Sequence, residues 1–188
     1  MGVPFLDPGP MNAEDFFAFT ATRPDGEKWE LIEGEPVLNA SASFLHQIIA
    51  RNLIVLLDRA SLAGGETWAA VPGVGLRVSE ISAPVPDVII RPNDCLSAPE
   101  CDDALVVFEI LSPSTADRDL RWKRRAYAAL PSLSQYVVVA QDLVEVVSYD
   151  RRTGFAERRF EAAEAELDVP IVGARLSLRD IYRGTGLL

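Results

Sequence analysis

Leu105-Val106-Val107-Phe108-Glu109-Ile110-Leu111 is an apolar run interrupted by one acid. Its length and its β-branched content read as a strand covered on both faces. Beyond Ser112-Pro113-Ser114-Thr115 the period changes. Ala116, Leu120, Lys123, Tyr127 and Leu130 recur at four- and three-residue spacing, which predicts a helix over 116–130, and Pro131 stands just past it. Tyr136-Val137-Val138-Val139 then reads as another strand. Strand, helix and strand in succession argue an α/β fold.

Upstream, Leu45, Ile48, Ile49, Leu53, Leu56, Leu57 and Ala60 predict a long helix over 43–62, stopped by Gly64-Gly65. Strands are expected over 66–71, 75–78 and 85–90. Nearer the N-terminus, Asn12 is a helix cap ahead of Phe16, Phe17 and Phe19. Residues 29–32 and 36–38, joined by Glu33-Gly34-Glu35, read as a hairpin. Downstream, strands over 144–149 and 155–160 flank the turn Arg151-Arg152-Thr153-Gly154, and a last short helix is expected over 176–182. There is no internal repeat and no linker. The chain reads as a flexible lead-in over 1–11 and a single domain over 12–188, with a central mixed β-sheet flanked by helices.

The chain has 188 residues, 18 basic and 28 acidic, for a net charge of −10. This balance argues against broad electrostatic wrapping of DNA and leaves room for a local basic face. Two cysteines, Cys95 and Cys101, cannot build a disulfide framework or a Cys-rich zinc site. The single histidine, His46, excludes sites needing two imidazoles. No apolar run approaches the roughly 20 residues that span a bilayer. Residues 1–10 lack the basic region of a signal peptide, so a reducing, cytoplasmic setting is expected.

Nucleophile motifs are absent: there is no Gly-x-Ser-x-Gly elbow and no Walker loop. Gly73-Val74-Gly75 lacks the third glycine of a dinucleotide fingerprint. Ser112 and Ser114 read as helix caps. Glu109 carries more weight, because alternation places it on one strand face with Leu105, Val107 and Leu111. Asp87 sits in the preceding apolar segment, Val85-Pro86-Asp87-Val88-Ile89-Ile90. A buried acid costs several kcal/mol, on the order set by desolvation, unless it is paired or holds a cation. One such residue can be an ordinary hydrogen-bonded carboxylate. Two on successive strands suggest a converging pair of the kind that binds hydrated Mg²⁺ or Mn²⁺. Lys123 lies on the apolar stripe of the following helix. It reads either as an i, i+4 partner of Asp119 or as a cation beside the two acids. Arg118, Arg121, Arg124 and Arg125 fan outward from that helix. A second group, Arg151, Arg152, Arg158 and Arg159, reads as a solvated face balancing nearby acids.

Asp87, Glu109 and a nearby lysine resemble the active site of PD-(D/E)XK nucleases. The chain further resembles the Uma-type family of putative restriction endonucleases, over roughly residues 12–182. The matching stretches are 29–35, His46-Gln47, Pro86-Asp87-Val88 and Glu109-Ile110-Leu111-Ser112-Pro113-Ser114-Thr115, then Asp119, Lys123, Tyr127 and Leu176-Ser177-Leu178. The resemblance implies a restriction-endonuclease-like fold. It also implies that Asp87 and Glu109 hold a divalent cation, helped by the Ile110 carbonyl. The superfamily's usual lysine position is Leu111 here, and the family's lysine from the following helix is Lys123. Glu30 and His46 match family positions near the site. Where the family has a Glu-Tyr-Trp string and a later Asp, this chain has Gln135-Tyr136-Val137 and Ala140.

Taken together, the expected activity is Mg²⁺- or Mn²⁺-dependent hydrolysis of DNA phosphodiester bonds by Asp87, Glu109 and Lys123. A catalytically silent binding module of the same fold is the alternative. Arg121, Arg124 and Arg125 are the expected DNA contacts. The partners expected are DNA and a second copy of the chain, with no membrane.

Overall fold

A computed structural model describes residues 9–93, 100–111 and 116–188, the side chains of 100 and 116–120 apart. The lead-in over 1–8, Cys95, Ser112, Ser114 and the side chains of Arg118 and Asp119 therefore lie outside the described residues.

Helix α1 (Ala13–Thr20) begins where Asn12 accepts a hydrogen bond from the Asp15 N–H. Strands β1 (Lys28–Ile32) and β2 (Glu35–Asn39) form the expected hairpin, and its turn needs Gly34, whose φ is +86°. A side chain there would also collide with Pro10. Met11 donates its N–H to the Gly34 carbonyl, so the end of the lead-in is tied to the hairpin. Helix α2 (Phe44–Ala63) is capped by the Ser43 hydroxyl and closes at Gly64.

The remaining strands are β3 (Trp68–Pro72), β4 (Gly75–Leu76), β5 (Val88–Pro92), β6 (Glu100–Cys101), β7 (Val106–Leu111), β8 (Gln135–Ala140), β9 (Val146–Asp150), β10 (Ala156–Phe160), β11 (Glu166–Val169) and β12 (Ala174–Ser177). Six of them form the main sheet in the order β10-β9-β8-β7-β5-β3. It is mixed: β7 and β8 are parallel, joined through helix α3 (Ala116–Ala129), and the other pairings are antiparallel. Ile49, Leu53 and Leu57 of α2 pack on one face with Val88, Ile90 and Phe108. Tyr127 and Leu130 pack on the other with Ile89, Val107 and Tyr136.

Three expectations need correction. The strand expected over 85–90 starts at Val88. Pro84 and Pro86 lack ladder donors, Ala83 bridges to Leu31 of the hairpin, and the Val85 N–H goes to Glu30. Leu105 lies just before β7 and packs with the core on the α2 side, away from Val107. Finally, the short helix expected over 176–182 is present as α4 (Leu178–Ile181) but starts later, because Leu176 and Ser177 belong to β12, which pairs with β11 in a hairpin that the sequence reading does not anticipate. Alternation of Leu167, Val169, Ala174 and Leu176 into the core, around Gly173 at φ +66°, accounts for that hairpin.

Candidate active site

Antiparallel pairing of β5 and β7 ends at Val88 opposite Phe108, which leaves Asp87 and Glu109 as the next residue along each chain. Asp87 has left the ladder, which frees its side chain to be held from three sides. Its Oδ2 accepts the Ile110 N–H at 2.8 Å. Its Oδ1 accepts from the Lys28 ammonium at 2.9 Å and lies 3.2 Å from Nε2 of His46. Burial pushes the Asp87 pKa up, but the His46 hydrogen bond, the Lys28 charge and the Ile110 N–H outweigh it and hold the carboxyl below its usual range.

Glu109 is buried in the middle of the sheet and anchored by α3. Its Oε1 accepts from Lys123 at 3.0 Å and from the Tyr127 hydroxyl at 2.7 Å. Lys123 also donates to Glu30 Oε1 at 3.0 Å, and the same oxygen accepts the Val85 N–H at 2.9 Å. One ammonium thus joins the hairpin, the segment ahead of β5, and β7. Burial raises the Glu109 pKa; Lys123 opposes it, the Asp87 and Glu30 charges add to it, and the net direction is upward. For Lys123, burial favours the neutral amine, yet Glu109 and Glu30 outweigh it and hold the group charged. In Glu30, burial is outweighed by Lys123, Asn39 and the Val85 N–H, so its pKa is lowered.

Lys28, Glu30, His46, Asp87, Glu109 and Lys123 all line one cleft of about 1260 Å³. Glu30, Asp87 and Glu109 face two ammonium groups, Lys28 and Lys123, so one carboxylate charge stands in excess before His46 is counted. Tyr136 also borders the cleft, and among the described residues its buried hydroxyl has no hydrogen-bond partner. Among the described residues, no three His, Cys, Asp or Glu side chains converge into a ready-made metal cage. The donor set fits a hard cation that keeps its water: two carboxylates on one cleft, Asp87 and Glu109, with excess negative charge.

The structure does not bring Arg121, Arg124 and Arg125 to the lining of this cleft. Arg121 and Arg125 are exposed on α3. Arg124 does not fan outward as expected. Its guanidinium covers the Tyr149 ring at 4.3 Å and donates to the Phe155 carbonyl, because α3 packs there against the β9–β10 hairpin. In the later basic group, Arg152 pairs with Asp150, Arg159 pairs with Glu145 and Glu157, and Arg151 donates to the Ala128, Leu130 and Leu133 carbonyls at the end of α3. Cys101 is buried, and burial raises its thiol pKa to about 11, which leaves it a poor nucleophile.

Sequence reasoning missed Lys28 and the Tyr136 hydroxyl. Lys28 sits in a hairpin strand 59 residues before its partner Asp87, with no local pattern to mark it. Tyr136 reads as core, and its ring is core, edge-on to Tyr127 and stacked on Tyr149. The fact that no neighbour takes its hydroxyl is visible only in three dimensions.

The fold is that of a crystal structure described as a putative nuclease belonging to DUF820, from Anabaena variabilis. The TM-score is 0.74 at 17% identity, covering 92% of this chain and 98% of that one. An uncharacterized protein of Synechocystis sp. is 26% identical over 163 residues, covering 84% of this chain and 85% of its own length. A family model described as "Uma2: Putative restriction endonuclease" matches residues 13–179. That match takes in nearly all of the sheet, α2, α3 and every residue of the cleft's charged cluster, and the chain belongs to the Uma2 family.

Proposed function

We propose that this protein is an endonuclease that hydrolyses phosphodiester bonds in DNA with the help of Mg²⁺ or Mn²⁺. The observation that carries the reading is Asp87, hydrogen-bonded to the Ile110 N–H next to Glu109, with Lys123 between Glu109 and Glu30, all on one cleft. Asp87 and Glu109 would hold the cation, with the Ile110 carbonyl as the neighbouring backbone oxygen. Such an ion supplies a water of lowered pKa and offsets charge on the scissile phosphate.

The rest of the chemistry falls to this chain's own groups. Lys123 is kept protonated by two carboxylates, so it offers a fixed positive charge to a phosphate gaining negative charge. Tyr127 and Lys123 occupy Oε1 of Glu109, which fixes the orientation of that carboxylate. The Ile110 N–H does the same for Asp87 through Oδ2. One observation favours the silent binding module instead: Lys123 already serves two carboxylates.

A single experiment separates the two. Cleavage of plasmid and short duplex DNA is followed with Mn²⁺, with Mg²⁺ and with chelator, beside Asp87→Asn and Glu109→Gln. An active site of this kind loses at least about a hundredfold of its rate in each variant, the scale of one removed electrostatic element. Cleavage that survives chelator, or both substitutions, overturns the reading. DNA binding without any cleavage establishes the binding module.

A further inference from the structure

We propose that Lys28 is a displaceable counter-ion: it holds Asp87 until the divalent cation arrives, and is then released to grip the substrate phosphate. This rests on the cation site proposed above and assigns a residue that the sequence pattern leaves unmarked. The two lysines of the cleft are held differently. The Lys123 side chain is 13% exposed and bound to two buried carboxylates, whereas that of Lys28 is 37% exposed and bound to Asp87 alone among the described residues. Lys28 extends from the first residue of β1, at the open end of the hairpin away from the Glu33-Gly34 turn. Its flexible four-carbon stem can therefore swing without disturbing packing.

The two oxygens of Asp87 also differ. Oδ2 is committed to the Ile110 N–H, a donor fixed in the backbone of β7. Oδ1 is held by side chains, Lys28 and His46, and these can move aside. A cation binding Asp87 on that side meets the Lys28 ammonium at hydrogen-bond distance from the same atom. Two positive charges so close repel strongly in a partly buried site. Lys28 must therefore leave Asp87, and because it lines the same cleft as Asp87 and Glu109, a phosphate drawn to the cation there would come within reach of its ammonium. Lys28 is thus a positioning residue with two linked effects of opposite sign: it weakens cation binding and strengthens substrate binding.

The full chain is titrated with Mn²⁺ by calorimetry as wild type, Lys28→Met, Lys28→Gln and Asp87→Asn, and KM for a short duplex is measured alongside. The expected result is Mn²⁺ affinity at least threefold tighter in both Lys28 variants, lost affinity in Asp87→Asn, and a KM for DNA raised at least threefold in both Lys28 variants. A residue that merely supports the fold would weaken both kinds of binding when removed. Unchanged or weaker Mn²⁺ affinity in Lys28→Met and Lys28→Gln overturns the counter-ion, as an unchanged KM overturns the grip on phosphate. In either case wild-type Mn²⁺ binding that is lost in Asp87→Asn leaves the cation site standing. Absence of Mn²⁺ binding to the wild type removes the cation site and the role of Lys28 together.

Discussion

Ile110 donates its backbone N–H to Oδ2 of Asp87 at 2.8 Å, so the residue next to one acid fixes the position of the other. Asp87 is thus tied to the backbone of β7 although it stands outside the β5–β7 ladder, while Glu109 on that same strand is held by Lys123 and Tyr127 of α3.

Lys123 stabilises the fold as well as the site. Lys123→Met leaves Glu30 and Glu109 buried without their shared cation, and is expected to destabilise by about 3–5 kcal/mol. Adding Glu30→Gln and Glu109→Gln to Lys123→Met should recover most of that loss. Urea midpoints of the single and triple variants decide it; a triple variant as unstable as the single one refutes the coupling.

The acids respond to pH with opposite sign. The Asp87 pKa is lowered by folding, so its contribution is complete above the ordinary value of 3.8 and is lost as pH falls below that through the folded value. Asp87→Asn should flatten the acid limb of the stability profile below about pH 3.8. The Glu109 pKa is raised, so its ionisation removes stability as pH climbs from the ordinary 4.5 through the folded value. Glu109→Gln should abolish that decline. Unfolding curves at closely spaced pH values test both, and parallel profiles for wild type and variants would refute the assignment.

Tyr136→Phe removes a hydroxyl that has no partner among the described residues. Without metal, the variant should match the wild type or gain up to about 1 kcal/mol, because the penalty of an unsatisfied group disappears. With Mn²⁺ its thermal stabilisation should be smaller than that of the wild type. A clear fall in the metal-free melting temperature would show that the hydroxyl finds a partner in solution.

Much of this was legible in the sequence. The acid in an apolar strand, the four-three rhythm that turns Lys123 inward and the cap at Asn12 are local signals, and β7, α3 and α1 stand where those signals lie. The strand ahead of Val88 was misplaced because its fate depends on Glu30, 55 residues earlier, which takes the Val85 N–H. The β11–β12 hairpin was missed although its alternation was present, since the runs on either side of Gly173 are four residues each. No local pattern marks Lys28, because hairpin residues acquire partners only through docking; Glu30, on the same strand, is marked only by the family resemblance.

The arginines of α3 divide by environment. Arg124→Ala should lower the melting temperature, since its guanidinium is half-buried on Tyr149 and serves the Phe155 carbonyl. Arg121→Ala/Arg125→Ala should change stability by no more than about 0.5 kcal/mol, as surface substitutions do. If these two exposed residues contact DNA, the double variant weakens binding and makes it less salt-dependent. An unchanged affinity and salt slope mean that the substrate enters elsewhere or is not a nucleic acid.

Gly34→Ala tests the hairpin's seat. It combines a φ of +86° with a collision against Pro10, and should cost more than about 1 kcal/mol by melting. Full stability in this variant would show that residues 9–11 do not hold the turn.

The cleft is assembled across very unequal lengths of chain. Glu109 meets Lys123 and Tyr127 over separations of 14 and 18 residues, whereas Lys28 and Asp87 are 59 apart and Glu30 and Lys123 are 93 apart. Long closures are slow, so the hairpin's contacts complete the cluster last during folding. During synthesis the order has a further effect. The hairpin emerges before α3 and waits, and a growing chain lacks the ammonium that joins these acids until Lys123 is added. A cluster built this way stays incomplete on the ribosome until α3 has been made.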